Sequence, residues 1–368
     1  MDRIKALEVN VDDLNNGGVF ALIKDILEHK PEDVELSVAS IEGFKDSANC
    51  NYFNKLGCKI FNIGVSKNKI VKQVYVYKNL KRLIEQGGFN NVHIHADTAN
   101  KLLVSGYAAK KAGAKNIILH SHASDVDGKM RYAKRMTHWL CRPFLKLLDA
   151  KFLSCSDTAA KWMYGKSQYI KINNGVDIEE FRFNTDKRKK VRSDLKIDTE
   201  FLIGHVGRFA YQKNHEYILK IASNLKHSNL NFKILLVGNG PLEEEIKHKV
   251  EIMNLSKYFI FYGTSKNVSD LLCAMDIFIL PSHFEGLPVV GVEAQATGLP
   301  VLYANTITKE AAIIKECAYI GIQDADLGEW VRKIIDFSSL KRRDPHDELK
   351  EAGFDIKDVA IKFCSLYR

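Results

Sequence analysis

The feature that most constrains this chain is an alternation that runs nearly its whole length, with short β-type runs separated by longer stretches of helical periodicity. The β-type runs fall at residues 34–39, 59–63, 92–95, 116–120, 151–154, 201–206, 232–237, 258–262, 276–280 and 300–303. Between them, Val19, Leu22, Ile23, Ile26 and Leu27 fall on one helical face, as do Ile218, Ile221, Ala222 and Leu225. Strands and helices taken in turn demand parallel sheets covered on both faces, which places the chain in the α/β class. Ligands of such sheets bind at the carboxyl ends of the strands, so the residues just after each β-type run are the first candidates for a site.

At 368 residues the chain is long enough for two such domains, each with its own core. The alternation breaks once, at Asn173-Asn174-Gly175-Val176-Asp177 and the polar, basic stretch 184–192, which reads as a linker with a boundary near residue 180. The formal charge of +9 is unevenly spread. Residues 1–172 hold 27 Lys+Arg against 17 Asp+Glu, leaving 27 against 28 for the remainder. An excess confined to one half argues against a nucleic-acid binder built on both domains, and no fixed period of 20–50 residues points to a repeat architecture.

Much of the excess sits in residues 129–148, where Lys129, Arg131, Lys134, Arg135, Arg142 and Lys146 alternate with Met136, Trp139, Leu140, Phe144, Leu147 and Leu148. A surface helix whose apolar stripe packs into its own domain is the favoured account. The alternative is peripheral contact with an anionic membrane, although Pro143 would kink a long membrane-lying helix. The seven cysteines are odd in number and lack metal-ligand spacing, as expected of free thiols in a reducing compartment. With no signal-like apolar stretch at Met1-Asp2-Arg3-Ile4 and no run of 18 apolar residues, the expectation is a soluble cytoplasmic protein, peripheral at most.

Three strand ends carry chemistry. After the run 276–280 comes Pro281-Ser282-His283-Phe284-Glu285-Gly286-Leu287-Pro288-Val289, in which Pro288 suits the first helical position and Gly298 the helix end. Glu285 in the loop and Glu293 in the second turn then flank a helix amino terminus whose N–H groups can hold phosphate or sugar oxygens. After 201–206 come Gly207, Arg208 and Lys213, two cations able to neutralise a diphosphate. After 232–237, Val237-Gly238-Asn239-Gly240-Pro241 lets backbone approach a ligand but lacks the third glycine of a dinucleotide fingerprint, which disfavours NAD.

In the first half, Asn15-Asn16-Gly17-Gly18 precedes a helix and suits either a phosphate or a plain turn. His93/His95 and His120/His122 close consecutive runs, each pair pointing to one face. They are either cleft groups touching a sugar or phosphate or satisfied core histidines, and zinc is disfavoured because no third ligand of suitable spacing is apparent. Asp125-Val126-Asp127 has the form of a D-x-D metal motif, a pattern common by chance.

These stretches together resemble the retaining glycosyltransferases of family four, with the GT-B fold. The resemblance runs through Gly17-Gly18, His120-Ser121-His122, Ser156, Asn174-Gly175-Val176-Asp177 to Phe181, Gly207-Arg208 with Lys213, Val237-Gly238-Asn239-Gly240, Tyr262-Gly263 and the E-x7-E of Glu285 and Glu293. The wording near Glu285-Gly286-Leu287-Pro288 and Thr306-Ile307-Thr308-Lys309-Glu310 is similar to the bacterial branch that builds capsular and exopolysaccharides. The resemblance implies two Rossmann-like, doubly wound domains facing a central cleft: an acceptor domain at 1–175, a donor domain at 176–355, and a helix at 356–368 crossing back to the first. It implies a nucleotide sugar and a saccharide or lipid-linked saccharide as partners, no nucleic acid, and no metal or other cofactor.

By the same resemblance, Arg208 and Lys213 would hold the diphosphate. Glu285, with the N–H groups of Gly286, Leu287, Pro288's neighbour Val289 and the loop they form, would hold the donor sugar. Glu293 would bind the ribose and Val268 would lie near the base, with Gly17, Gly18 and Gly238 completing the donor-binding set. His122 is the residue expected to touch the transferred sugar, with His95 and His120 on the acceptor side. Asn15-Asn16 departs from the family's usual residues. The expected reaction is transfer of a hexosyl unit, UDP being the expected carrier, with retention and by direct front-face attack. The rivals are a GT-B UDP-sugar epimerase or hydrolase and a basic nucleic-acid-binding protein.

Overall fold

The computed structural model describes residues 3–13, 17–65, 68–128 and 130–368, with backbone only at 69 and 70. Asn15, Asn16 and Lys129 therefore lie outside the described residues. The chain forms two compact units, Met1–Gly175 with Asp355–Arg368, and Val176–Phe354.

The first unit holds β1 (Ile4–Val9), β2 (Val34–Ser40), β3 (Lys59–Asn62), β4 (Asn91–Ala96), β5 (Asn116–Ser121), β6 (Lys151–Ser154) and β7 (Ile170–Lys171), in the spatial order 3-2-1-4-5-6-7. The second holds β8 (Phe201–Val206), β9 (Phe232–Val237), β10 (Phe259–Gly263), β11 (Ile277–Leu280), β12 (Val301–Ala304) and β13 (Cys317–Ile320), in the order 10-9-8-11-12-13. The described pairings are parallel. Near-continuous apolar runs such as Phe-Lys-Ile-Leu-Leu-Val in β9 and Ile-Phe-Ile-Leu in β11 fit strands that helices cover on both faces. Each sheet reverses its winding once, between β1 and β4 and between β8 and β11, and the crevice outside those strand ends is where such folds bind ligands.

The chain's last helix, Ile356–Ser365, packs on the helix Gly18–His29 within the first unit. Ile356, Val359, Ala360, Phe363 and Tyr367 join one core with Ile23 and Ile26. Gly175 makes this approach possible, since a Cβ there would stand 2.9 Å from the Ile356 Cα.

Two expectations from sequence are corrected. The stretch 184–192 is not a linker but part of the helix Thr185–Asp194 of the second unit. Its charges are consumed structurally: Arg188 donates to the carbonyls of Ala274 and Met275 and to Asp276, and Arg192 also reaches Asp276. The favoured account of 129–148 also fails. A helix, Arg131–Cys141, runs into a 3₁₀ segment, Arg142–Leu148, and its apolar stripe does not face the domain. Only His138, Leu145 and Leu148 are buried, whereas Met130, Tyr132, Met136, Trp139, Leu140, Phe144 and Leu147 are 52–77% exposed.

Candidate active site

In the second unit the site forms where β8 and β11 lie side by side, at the reversal of strand order. The loop after β8 bends closely over the end of β9, and glycine is required there. A Cβ on Gly238, whose φ is +133°, would lie 2.3 Å from the Gly207 carbonyl oxygen, and one on Gly240 would meet the Phe209 backbone. This approach presents Gly207, Arg208 and Lys213 at the strand ends.

The Lys213 ammonium lies 2.8 Å from Glu285 Oε1, and Gln212 Nε2 donates to Glu285 Oε2 at 3.0 Å and to the Phe284 carbonyl at 3.2 Å. Both side chains of the ion pair are largely buried, at 15% and 8% exposed. Pairing offsets the desolvation that a buried carboxylate would otherwise suffer. Asn214, in the left-handed region at φ 54°, donates to the Pro281 carbonyl at 3.0 Å, and the His283 N–H donates to the Gln212 carbonyl at 2.8 Å. The loops after β8 and β11 are thus sewn into one cradle. Arg208 is exposed, with no ion pair among the described residues, so its guanidinium is available to a ligand.

The helix Val289–Ala296 begins one residue later than the sequence implies. Pro288, at φ −74° and ψ 99°, is the capping residue and not the first helical one. Its extended backbone leaves Gly286 and Leu287 as a buried turn at the helix entrance. Gly298 ends the helix at φ +71°, and half-buried Glu293 lies in the second turn. Val268 opens the short helix Val268–Ala274 after β10, and Gly17 and Gly18 open the helix Gly18–His29 of the first unit.

In the first unit the structure gathers residues that the sequence keeps far apart. Glu8 on β1 is fully buried and receives three neighbours: His95 Nε2 at 2.8 Å, His93 Nδ1 at 3.5 Å, and the Tyr367 hydroxyl from the chain's carboxyl end, which donates to its Oε1. His93 meets the Tyr367 oxygen at 2.8 Å and His120 Nδ1 at 3.1 Å, and His95 Nδ1 meets His122 Nε2 at 2.9 Å. Burial pushes the Glu8 carboxyl up to about 8 and lowers all four imidazoles, so the cluster is neutral at neutral pH.

The assignment of His95 and His120 to acceptor contact is corrected. Both are 0% exposed, interior members of this stack, and only half-buried His122 reaches the carboxyl edge of the sheet. The expectation that no third ligand lies near the histidine pairs is corrected too, since ring nitrogens of His93, His95 and His120 fall within 4.8 Å of one another. Both ring nitrogens of each of His93 and His95 are already engaged, those of His93 by Tyr367 and His120 and those of His95 by Glu8 and His122. Asp125 of the D-x-D is bound by the Arg135 guanidinium, and Asp127 accepts from the Gly128 N–H at 2.7 Å.

Glu8 and Tyr367 escaped the sequence reading. A single carboxylate within Ala6-Leu7-Glu8-Val9, an otherwise apolar strand, was the available signal.

Two parallel sheets, each reversing its strand order once, with a cation–carboxylate cradle at the second reversal, are arranged as in the GT-B fold. Residues 186–354 match the family of glycosyl transferases group 1. The fold is GT-B, and the family match lies within the second unit. It is 33% identical over 242 residues to the putative glycosyltransferase EpsF of Bacillus subtilis, covering 63% of this chain and 62% of EpsF. It is 26% identical over 280 residues to the UDP-Gal:α-D-GlcNAc-diphosphoundecaprenol α-1,3-galactosyltransferase of Escherichia coli, covering 72% and 70%. Anabaena HepE, solved with UDP and glucose, shares the fold over 99% of both chains, with a TM-score of 0.77 at 14% identity. No helix among the described residues is long and apolar enough to cross a membrane.

Proposed function

We propose that this protein transfers a hexosyl unit, with retention, from a UDP-sugar to a lipid-linked saccharide during assembly of a capsular or extracellular polysaccharide. The observation that carries the proposal is the Lys213–Glu285–Gln212 cradle at the β8/β11 switch point, with Arg208 beside it. Cleavage of the sugar–phosphate bond places negative charge on the diphosphate. Arg208 and Lys213 stabilise that charge, the ammonium having two donors left after Glu285, and the N–H groups from Gly286 to Val289 add the positive end of a helix. Glu285, held in position by Lys213 and Gln212, accepts hydrogen bonds from hydroxyls of the donor sugar. Glu293 takes the ribose hydroxyls, Val268 lies near the base, and His122 meets the transferred sugar. The uridine nucleotides of the E. coli galactosyltransferase and HepE support this choice of donor, and the diphosphoundecaprenol-linked sugar in the E. coli enzyme's name supports a lipid-linked acceptor.

The face formed by Met130, Tyr132, Met136, Trp139, Leu140, Phe144 and Leu147 supports a lipid-borne acceptor. Arg131, Lys134, Arg135, Arg142 and Lys146 are interleaved with these exposed apolar groups, a combination complementary to an anionic bilayer surface. Arg142 stacks over the Trp139 ring at 4.7 Å, which joins cation and aromatic in one patch.

A thermal-shift panel of UDP-, GDP- and dTDP-sugars tests the donor, since a true donor at ~100 times its dissociation constant adds ~2.7 kcal/mol to stability. Absence of any shift with all three overturns the assignment. Recovery of a free or altered sugar nucleotide with no glycoside would replace transfer by hydrolysis or epimerisation.

A further inference from the structure

The buried polar cluster of the first unit has a direction. Tyr367 donates to Glu8 Oε1, so its oxygen accepts from His93 Nδ1–H, and His93 Nε2 accepts from His120 Nδ1–H. Along this branch every donor points toward Glu8 and ends at a His120 Nε2 that has no partner. With Oε1 engaged, Glu8 faces the second branch through Oε2 alone, along Oε2, His95 Nε2, His95 Nδ1 and His122 Nε2, at 2.8 and 2.9 Å. Each imidazole in this interior carries one proton, so the state of the carboxyl fixes the whole branch.

When Glu8 is the acid, Oε2–H donates to His95, His95 Nδ1–H donates to His122, and His122 keeps its proton on Nδ1. When Glu8 is the carboxylate, both bonds reverse, His122 is protonated on Nε2, and its Nδ1 is a bare lone pair. Passing from the first state to the second moves one proton from Oε2 to His95 Nε2 and one from His95 Nδ1 to His122 Nε2. One proton leaves at His122 Nδ1, and the negative charge comes to rest on Glu8.

We propose that Glu8 is a positioning residue which, through His95, sets whether His122 presents an N–H donor or a lone pair to the sugar at the carboxyl end of β5. This rests on the placement of His122 against the transferred sugar. The titratable groups packed around Glu8 are His93 and His95 from β4, His120 and His122 from β5 beyond them, and Tyr367 and Cys364 from the last helix, with Cys58 before β3 and Lys30 at longer range. Burial raises both thiols to about 12 and holds the Tyr367 hydroxyl well above its ordinary range, which leaves Glu8 as the group of this set that changes charge on the alkaline side of neutrality. The donor form prevails at neutral pH and gives way near pH 8.

The test is the imidazole ¹⁵N–¹H spectrum of the ligand-free, full-length protein across neutral to alkaline pH, read beside the pH profile of turnover. In the parent protein, His122 is expected as the Nδ1–H tautomer and should pass to Nε2–H as Glu8 ionises. In Glu8→Gln the amide donates to His95 in place of the acid, so His122 should stay Nδ1–H throughout and the alkaline change in kcat should vanish. Tyr367→Phe, which keeps the carboxyl but removes a hydrogen bond that favours its ionised form, should move the tautomer midpoint to higher pH. It serves as the second variant if Glu8→Gln does not fold. An unchanged His122 tautomer course in either variant overturns the relay. Full activity of His122→Ala, with the tautomer coupling observed in the parent protein, would instead overturn the sugar contact of His122 and leave the relay standing.

Discussion

Each unit places a buried carboxylate near the reversal of its strand order, Glu8 inside β1 and Glu285 in the loop after β11, and they keep it there by opposite means. Glu285, beside the β8/β11 reversal, is ionic. Lys213 and Gln212 occupy its two oxygens, and the pair stands at the edge of the sheet where a substrate's charge can join it. Glu8, beside the β1/β4 reversal, has no Lys or Arg at ion-pair distance among the described residues. Its partners are a phenol and neutral imidazoles, and burial keeps its proton on up to about pH 8. A switch point thus fixes where a polar group can be placed but not its charge. The neighbouring residue decides that, because a desolvated carboxylate must be paired or protonated.

The largest expected effect comes from unpairing the ionic one. Lys213→Met leaves Glu285 buried without its cation, and a loss of ~3–5 kcal/mol in denaturant unfolding is expected. A change below ~1 kcal/mol would mean that the pair is as solvated as an exposed one and would erase the contrast. Arg208→Ala, which breaks no contact of the free protein, should reduce kcat on the order of 10²–10³-fold with an unchanged Tm. Near-normal turnover would remove Arg208 from the diphosphate site.

The protonated carboxylate predicts a pH dependence. The unfolded chain releases the Glu8 proton near its ordinary value of 4.5, the folded one near 8, so the folded state binds more protons between them and stability falls as pH rises through that window. The four imidazoles act in the other direction. They are neutral when folded and protonate below 6.5 only when unfolded, so stability falls again as pH drops below that value. Tm against pH should therefore slope on both sides, and Glu8→Gln should remove the alkaline slope alone. A parallel profile in that variant would show that Glu8 does not titrate in this range.

The smallest effect on stability belongs to the exposed patch. Met136→Ser with Leu147→Ser should alter unfolding by no more than ~0.5 kcal/mol per site, since neither side chain packs inward. Co-sedimentation with anionic vesicles should nevertheless fall, and unchanged vesicle binding would sink the membrane contact.

The second unit was largely legible because its signals are local. Glycines at 207, 238 and 240, the cations at 208 and 213, and the carboxylates at 285 and 293 each follow a recognisable strand within a few residues. What could not be read there was that Lys213 and Glu285, 72 residues apart, hold one another. The first unit was less legible. The histidine pairs were visible, but whether a ring faces a ligand or the interior depends on what covers it, and here the cover is Phe363 and Tyr367 from the far end of the chain. The two-residue strand β7 also lacks a sequence signal strong enough to separate it from loop, because two residues carry too little pattern.

The sequence by itself determined the α/β alternation, the strand ends that carry chemistry and the resemblance to family-four transferases, all of which are encoded in residues close together along the chain. Only the tertiary structure decided that Glu8 meets His95 across 87 residues and Tyr367 across 359. It likewise decided that the apolar side of 130–147 faces outward. Periodicity says that a helix has two faces, but which one is buried, and which carboxylate keeps its proton, is settled by the groups that distant parts of the chain bring against it.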